Sequence, residues 1–84
     1  MLAVFSSYEK HIYRDLYSAY ISGDTTYVYI LPDEPAEFQK LMDALVHLDE
    51  EGVLFCSSDP DGAQPGEEFN VQLMYKYASN FIKL

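Results

Sequence analysis

Hydrophobic side chains recur at helical spacing in the first quarter of the chain. Just before this stripe, Ser6 and Glu9 form the pattern of a capping box, in which each side chain satisfies a free backbone amide at the start of a helix. We expect the helix to run to about Ile21, and Gly23 suits the left-handed residue that ends a helix. The apolar stripe consists of Tyr8, Ile12, Leu16 and Ala19 or Tyr20.

A second amphipathic stretch follows in the middle of the chain. Pro35 fits the first turn of a helix, where its missing amide has no cost, and Asp33 or Glu34 can serve as the cap. We expect this helix to run from about Glu34 to Glu51. A period of 3.6 separates an apolar face of Phe38, Leu41, Met42, Leu45 and Leu48 from a polar face of Asp33, Glu37, Lys40, Asp43, His47 and Glu50 or Glu51.

Three other stretches have the composition of strands. Residues 25–31 are β-branched and aromatic without a charge, which predicts a strand buried on both faces or paired centrally. Residues 53–57 and 69–77 should pair as a hairpin, because the second alternates with period two. The predicted fold is one small acidic α+β domain over residues 1–84, with two helices and a small antiparallel sheet in the order helix, strand, helix, β-hairpin. The core face of the second hairpin strand would be Phe69, Val71, Leu73, Tyr75 and Tyr77.

The two ends of the chain are less regular. Residues 1–5 fit either a short strand or an apolar approach to the first helix. They are too few and lack the basic residues of a signal peptide or membrane span, so we expect no membrane association and a cytoplasmic location. The apolar tail from Asn80 to Leu84 should dock on the domain.

Charge is distributed very unevenly. The segment from Asp33 to Glu68 holds eleven of the fourteen carboxylates and one base, Lys40, for a net charge of −10, whereas the remainder carries +1. Acids three or four apart on a helix recur roughly every 5 to 6 Å, close to the spacing of phosphates along one nucleic-acid strand. The alternative is an ordinary solvated helix face. The acids expected to bind a partner are Asp33, Glu34, Glu37, Asp43, Glu50, Glu51, Asp59, Asp61, Glu67 and Glu68.

Residues 49–51 strengthen the interpretation that this acidity has a use. Asp49, Glu50 and Glu51 crowd the end of the second helix, where the helix dipole favours cations. Stability alone would select lysine there.

Catalytic and metal-binding patterns are absent from the sequence. Asp59-Pro60-Asp61-Gly62 lacks the ligands of a calcium loop and is better read as a turn. The single cysteine, Cys56, lies in an apolar strand, where a cysteine is usually a small core residue. His47 is either a solvated histidine or one whose pKa is raised by nearby acids. We therefore expect no enzyme activity, no cofactor and no metal, and with only five lysines and arginines no direct binding to nucleic acid.

A line of tyrosines runs beside the apolar stripe of the first helix. Tyr13, Tyr17 and Tyr20 either widen the buried face or form an interface, since tyrosine is enriched at contacts. An isologous homodimer across this line would keep the acidic halves apart. The terminal residues 81–84 could supply the same cover within one chain.

From residue 38 to residue 77 the chain resembles the second half of a winged-helix domain. The matching residues are Phe38, Leu41, Leu45 and Leu48 on the helix, then Asp49-Glu50-Glu51-Gly52-Val53-Leu54, the wing tip Asp59-Pro60-Asp61-Gly62 and the return strand Phe69-Val71-Leu73. The first helix and first strand also suit that order, and an acidic run at the end of the helix recurs in that family. Only residues 32–34 stand where the family has a further helix, and the face that would enter DNA is acidic. The resemblance therefore implies a winged-helix shape that has lost DNA reading.

Two functions follow as hypotheses. In size and charge segregation the chain resembles the small DNA mimics that phages use against host nucleases, repair enzymes or nucleoid proteins. This resemblance implies a non-enzymatic inhibitor whose acidic surface occupies the basic groove of a nucleic-acid-binding protein, in the host cytoplasm if it is phage-encoded. The alternative is a degenerate winged-helix adaptor or regulatory domain that binds a protein through its aromatic surface, with the acids serving solubility.

Overall fold

The computed structural model describes residues 4–84 and confirms an α+β fold. Within these residues no helix has the length and apolarity needed to cross a membrane. Val4 and Phe5 belong to neither a helix nor a strand, and the rest of the predicted lead-in lies outside the described residues. In chain order the elements are α1 (Ser7–Ile21), β1 (Tyr27–Ile30), α2 (Pro35–Glu50), β2 (Leu54–Cys56), a 3-10 turn (Pro60–Gly62), β3 (Glu68–Leu73) and α3 (Tyr75–Ser79).

Helix α1 begins at the predicted capping box. The Glu9 amide donates to the Ser6 hydroxyl at 3.1 Å, and the Ser6 amide donates to Oε1 of Glu9 at 2.8 Å. Ile12 and Leu16 are buried against the rest of the domain. After the helix Gly23 has a φ of 104°, a conformation that glycine adopts without a steric penalty.

Helix α2 supplies the largest share of the core. Glu34 is its N-cap and accepts a hydrogen bond from the Glu37 amide at 2.7 Å, and Pro35 occupies the first turn as predicted. Leu45 and Leu48 have no exposed surface. The remaining buried residues of the helix are Leu41, Met42 and Ala44, with Phe38 packed at the margin of the core.

The sheet is antiparallel with the order β1-β3-β2. The hairpin of β2 and β3 is therefore confirmed, whereas the prediction that the first strand lies centrally was wrong. β1 is an edge strand, and its Val28 and Ile30 side chains are exposed on the outer face. The lack of charge in β1 indicates a strand, but it does not indicate whether that strand lies at the centre or at the edge of the sheet. The central position belongs to β3, because Val71 is paired on both sides, with Tyr27 and Cys56.

The last strand ends earlier than its alternation predicts. The last pair of the ladder between β2 and β3 is Leu54 with Leu73. The Met74 amide still donates to the Val53 carbonyl, but the residues before Val53 belong to the turn after α2 and offer no strand for further pairing. Residues 75–79 instead form α3, which buries Ala78. The prediction that Tyr75 faces the core was wrong, because 79% of its surface is exposed. Tyr77 packs only at the margin of the core.

The tail docks on α1 through a buried tyrosine. Tyr13 is 1% exposed, and its hydroxyl donates to the Tyr77 carbonyl at 2.8 Å while accepting from the Ile82 amide at 2.9 Å. The ring of Phe81 stacks on Tyr13 at 5.2 Å between centroids. One side chain therefore joins α1, α3 and the tail.

Replacing Tyr13 with phenylalanine should destabilise the fold and release the tail. The change removes both hydrogen bonds and leaves two backbone groups without this partner, which predicts a loss of about 1 to 2 kcal/mol in the free energy of unfolding. Urea unfolding measures this loss. The amide proton of Ile82 should also exchange with solvent faster than in the unsubstituted protein. Tyr17→Phe is the control, because the Tyr17 hydroxyl has no hydrogen bond in residues 4–84. Equal stability of the two variants would contradict the prediction.

Candidate interaction surface

All ten acids that the sequence analysis assigned to a partner-binding surface are exposed. They lie along the outer side of α2, at both of its ends, on the loop between β2 and β3 and at the start of β3. The 16 residues of α2 span about 24 Å at helical rise. The fold thus exposes the ten acidic side chains while the apolar side chains of the same segment are buried.

The two ends of the acidic segment meet at the start of α2. The Gly66 amide donates to the Leu31 carbonyl at 2.8 Å, and the Leu31 amide donates to the Glu67 carbonyl at 2.9 Å. A Cβ atom at Gly66 would stand 3.5 Å from Oδ1 of Asp33. The acids that begin α2 and those that end the loop therefore form one region, although they are more than thirty positions apart in the sequence.

Lysine and arginine do not neutralise this surface by contact. Among residues 4–84 the single ion pair joins Glu9 to His47. Lys40, the one base of the acidic segment, lies with its Nζ 4.4 Å from the centre of the Tyr8 ring. The acidic region is consequently available as a negative surface.

Some of the ten acids have local structural roles. Besides the Glu34 cap, Asp59 accepts from the Asp61 amide at 3.0 Å, and Glu67 accepts from the Gln64 amide at 2.9 Å. Asp43 accepts from the side chain of Gln39. In the described part of the chain the other carboxylates accept no hydrogen bond from protein, so turn and cap formation does not account for Asp33, Glu37, Glu50, Glu51, Asp61 and Glu68.

Asp49 also has a structural explanation. Its Oδ2 accepts a hydrogen bond from the Cys56 amide at 2.9 Å and so fixes β2 to the end of α2. The argument that acids at this helix end oppose stability therefore fails for Asp49. It still applies to Glu50 and Glu51, which are exposed beside the helix C-terminus.

Alanine substitutions should separate these two classes of acid. Asp49→Ala leaves the Cys56 amide without its partner and should lower the free energy of unfolding by about 1 to 2 kcal/mol. Glu50→Ala should leave stability unchanged or raise it by a few tenths of a kcal/mol, because it removes a charge that the helix dipole disfavours. Urea unfolding at neutral pH measures both. Equal losses in the two variants would show that the hydrogen bond between Asp49 and the Cys56 amide does not contribute to the free energy of unfolding.

A contact between the helices went unrecognised in the sequence. His47 on α2 contacts Oε2 of Glu9 on α1 through its Nδ1 atom, and the ring of Phe5 lies 5.5 Å from the imidazole. The hydrogen bond to Glu9 raises the pKa of His47, helped by the charges of Glu9, Glu51 and Glu50, against a smaller opposing effect of burial. Burial would raise the pKa of Glu9, but hydrogen bonds from Ser6 and His47 bring it below its usual value. Sequence spacing gave no sign that residues 38 positions apart would meet.

This pair predicts a pH optimum of stability. Protonated His47 stabilises the fold fully below its usual pKa of 6.5, and this contribution is lost as pH rises through the raised folded-state pKa. The Glu9 carboxylate contributes above its usual pKa of 4.5, and this is lost as pH falls through the lowered folded-state pKa. The pair therefore contributes most between the two usual pKa values, 4.5 for Glu9 and 6.5 for His47.

Unfolding in urea at about pH 6 and about pH 9 tests this. The chain should lose stability at the higher pH, and His47→Gln should remove that loss. His11→Gln is the matched control, because His11 is exposed on the same helix as Glu9 and takes no part in the pair. A pH dependence that survives His47→Gln would contradict the assignment.

The surroundings of Cys56 and of the turn at residues 59–62 bear on whether either could be a catalytic or metal site. Cys56 is buried, and burial together with Asp49 raises its pKa to about 12, so the reactive thiolate is not formed near neutral pH. Residues 59–62 form a turn, as predicted. In residues 4–84 no three histidine, cysteine or acidic side chains are grouped to hold a metal.

The tyrosine line of α1 is divided between core and surface. Tyr13 is enclosed by the tail, so its side chain is not displayed for a partner copy as the dimer hypothesis requires. Tyr17 is half-buried against Phe81 at 5.2 Å, and Tyr20 is half-buried. The cover predicted from either a second copy or residues 81–84 is supplied for Tyr13 by the tail. Dimerisation itself stays a prediction.

Comparison of the chain with protein-family models, with curated proteins and with solved structures gives no match.

Proposed function

We propose that this protein is a non-enzymatic interaction protein of the cytoplasm, whose acidic surface occupies the basic groove of a nucleic-acid-binding protein. The observation that carries the proposal is the exposure of all ten acids of the surface without a single ion pair to lysine or arginine in residues 4–84. The partner would be a nuclease, a repair enzyme or a nucleoid protein. The chain would compete with nucleic acid for it, as a phage DNA mimic does.

Electrostatics favours such a partner. The segment from Asp33 to Glu68 has a net charge of −10, and its exposed carboxylates repel each other. This repulsion destabilises the folded protein unless positive charges bind to the surface. A groove of lysines and arginines that normally holds phosphates would relieve this repulsion. The association should be fast and strongly weakened by salt, because exposed charges are screened beyond roughly 10 Å at 0.1 M salt.

The element order supports a second part of the proposal, a degenerate winged-helix origin. The chain follows helix, strand, helix and hairpin, and residues 31–34 contain no helix between β1 and α2. Under this proposal the acidic α2 stands where a recognition helix would lie. A change in the sign of that surface would convert a DNA-binding shape into one that binds DNA-binding proteins.

A second candidate function is a protein adaptor. The outer face of the sheet displays the apolar side chains of Val28, Ile30 and Phe55, and Phe55 is 53% exposed. An adaptor that binds through this face would use the acids only for solubility. Its binding to the partner would be insensitive to salt and would be lost when Ile30 and Phe55 are changed to serine.

Substitutions that neutralise a carboxylate should distinguish acids of the proposed surface from acids elsewhere. Glu37→Gln with Glu50→Gln removes two exposed carboxylates from the surface, whereas Asp15→Asn with Asp24→Asn removes two exposed carboxylates outside it. Both pairs change the net charge by the same amount. We expect the first to weaken partner binding about tenfold and to reduce its salt dependence, and the second to change affinity less than about twofold.

The partner is first captured from host lysate at about 50 mM salt and released at about 500 mM. It is then purified, and binding is measured by titration in the presence and absence of duplex DNA. Competition with DNA supports the proposal. Capture that is indifferent to salt, simultaneous binding of DNA and this chain, or equal effects of the two double variants would refute it.

A further inference from the structure

The positive charges of the chain converge on one pocket. Lys10 and Arg14 from α1 and Lys83 from the tail line a cavity of about 360 Å³. These are three of the five lysines and arginines in the protein, and no carboxylate side chain is among the lining residues. The side chains that line the pocket therefore carry three positive charges and no negative charge, on a strongly acidic molecule.

Aromatic and aliphatic groups complete the lining of this pocket. Phe81 stacks on the buried Tyr13 ring with an angle of 17° between planes, and it is 48% exposed. Leu84 lines the same cavity and packs against the core. About half of the Phe81 surface is thus open to solvent next to three cations. Such a surface suits an apolar body of the size of a ring or a short chain.

The cations of the pocket have no other partner in residues 4–84. Lys40 and Lys76 each lie over an aromatic ring, at 4.4 Å from Tyr8 and 5.6 Å from Tyr77. By contrast Lys10, Arg14 and Lys83 take part in no ion pair and no ring contact. The chain therefore uses its two other bases locally and leaves these three around one cavity.

The polar recognition available in the pocket is cationic. The Tyr13 hydroxyl already donates to Tyr77 and accepts from Ile82, so it is occupied by the fold. A ligand with a negative head would meet the ammonium and guanidinium groups, which bind carboxylates and phosphates through charge-assisted hydrogen bonds. A neutral ligand would gain only the apolar contact.

We propose that this pocket binds a small organic anion, with a carboxylate or phosphate head held by Lys10, Arg14 and Lys83 and an apolar body placed against Phe81. The volume of the cavity lies within the usual range of small-molecule sites, roughly 300 to 1,000 Å³. This site is separate from the acidic surface and does not depend on the proposed function. It gives α1 and the tail a role in ligand binding.

Nuclear magnetic resonance titration of the full chain tests the proposal with three probes. 4-Phenylbutyrate carries both the charge and the ring, 4-phenylbutanol carries the ring alone, and inorganic phosphate carries charge alone. We expect saturable shifts at Arg14, Phe81 and Leu84 with phenylbutyrate, and at least about tenfold weaker binding of the other two. Equal affinity for the alcohol, or shifts centred outside the pocket, would overturn the proposal.

Matched double variants provide the control. Lys10→Gln with Arg14→Gln removes two cations from the pocket and should weaken phenylbutyrate binding about tenfold. Lys40→Gln with Lys76→Gln removes the same charge elsewhere and should change binding less than about twofold. If the first variant does not fold, Lys83→Gln replaces it. This substitution should weaken the binding of phenylbutyrate and leave the affinity for phenylbutanol unchanged. Equal affinities of the pocket and control variants would overturn the assignment.

Discussion

Burial of the apolar face of α2 is the constraint on which the rest of the structure depends. Leu45 and Leu48 are fully enclosed between α1 and the sheet, and each contributes about 1.5 to 3 kcal/mol by leaving water. A carboxylate that opposes the helix dipole costs a few tenths of a kcal/mol. The free energy gained by burying these side chains exceeds the cost of the unfavourable carboxylates. The helix therefore stays packed on the core while it carries a row of acids on its exposed side. The position of the acidic surface is a consequence of this packing.

Local patterns predicted the helices well because helix signals are local. The Ser6 and Glu9 box, the Glu34 cap and Pro35 act within one turn, and each stands where the sequence indicated. The apolar stripes of both helices also point inward. These features need no knowledge of what lies across the fold.

Long-range choices were the ones that sequence reasoning missed. The uncharged strand β1 lies at an edge because β3 pairs with both β1 and β2, and this pairing uses backbone groups, which carry no sequence signal. Tyr75 is exposed because its would-be partner strand has already turned away. Tyr13 is buried because the distant tail returns to it. The contact of Glu9 with His47 was missed for the same reason, because it forms only when α1 and α2 pack against each other.

The candidate site was predictable as a set of exposed acids but not in its internal division. Spacing and charge identified all ten residues, and each is exposed. Sequence could not show that Glu67 and Asp59 hold turns, or that Asp33 adjoins the Gly66 loop. The pocket of Lys10, Arg14 and Lys83 was also invisible, because its bases come from opposite ends of the chain.

The edge position of β1 has a consequence for how copies of the protein avoid each other. In residues 27–30 the strand carries no lysine, proline or bulge, the usual obstacles to pairing of one free edge with another. Exposed Asp24 and Asp33 flank it instead. Two antiparallel edges would bring Asp24 of one copy toward Asp33 of the other, so that repulsion acts as a gatekeeper against sheet extension. Because this repulsion acts between exposed charges, salt screens it, and the protection against edge-to-edge pairing should weaken as ionic strength rises.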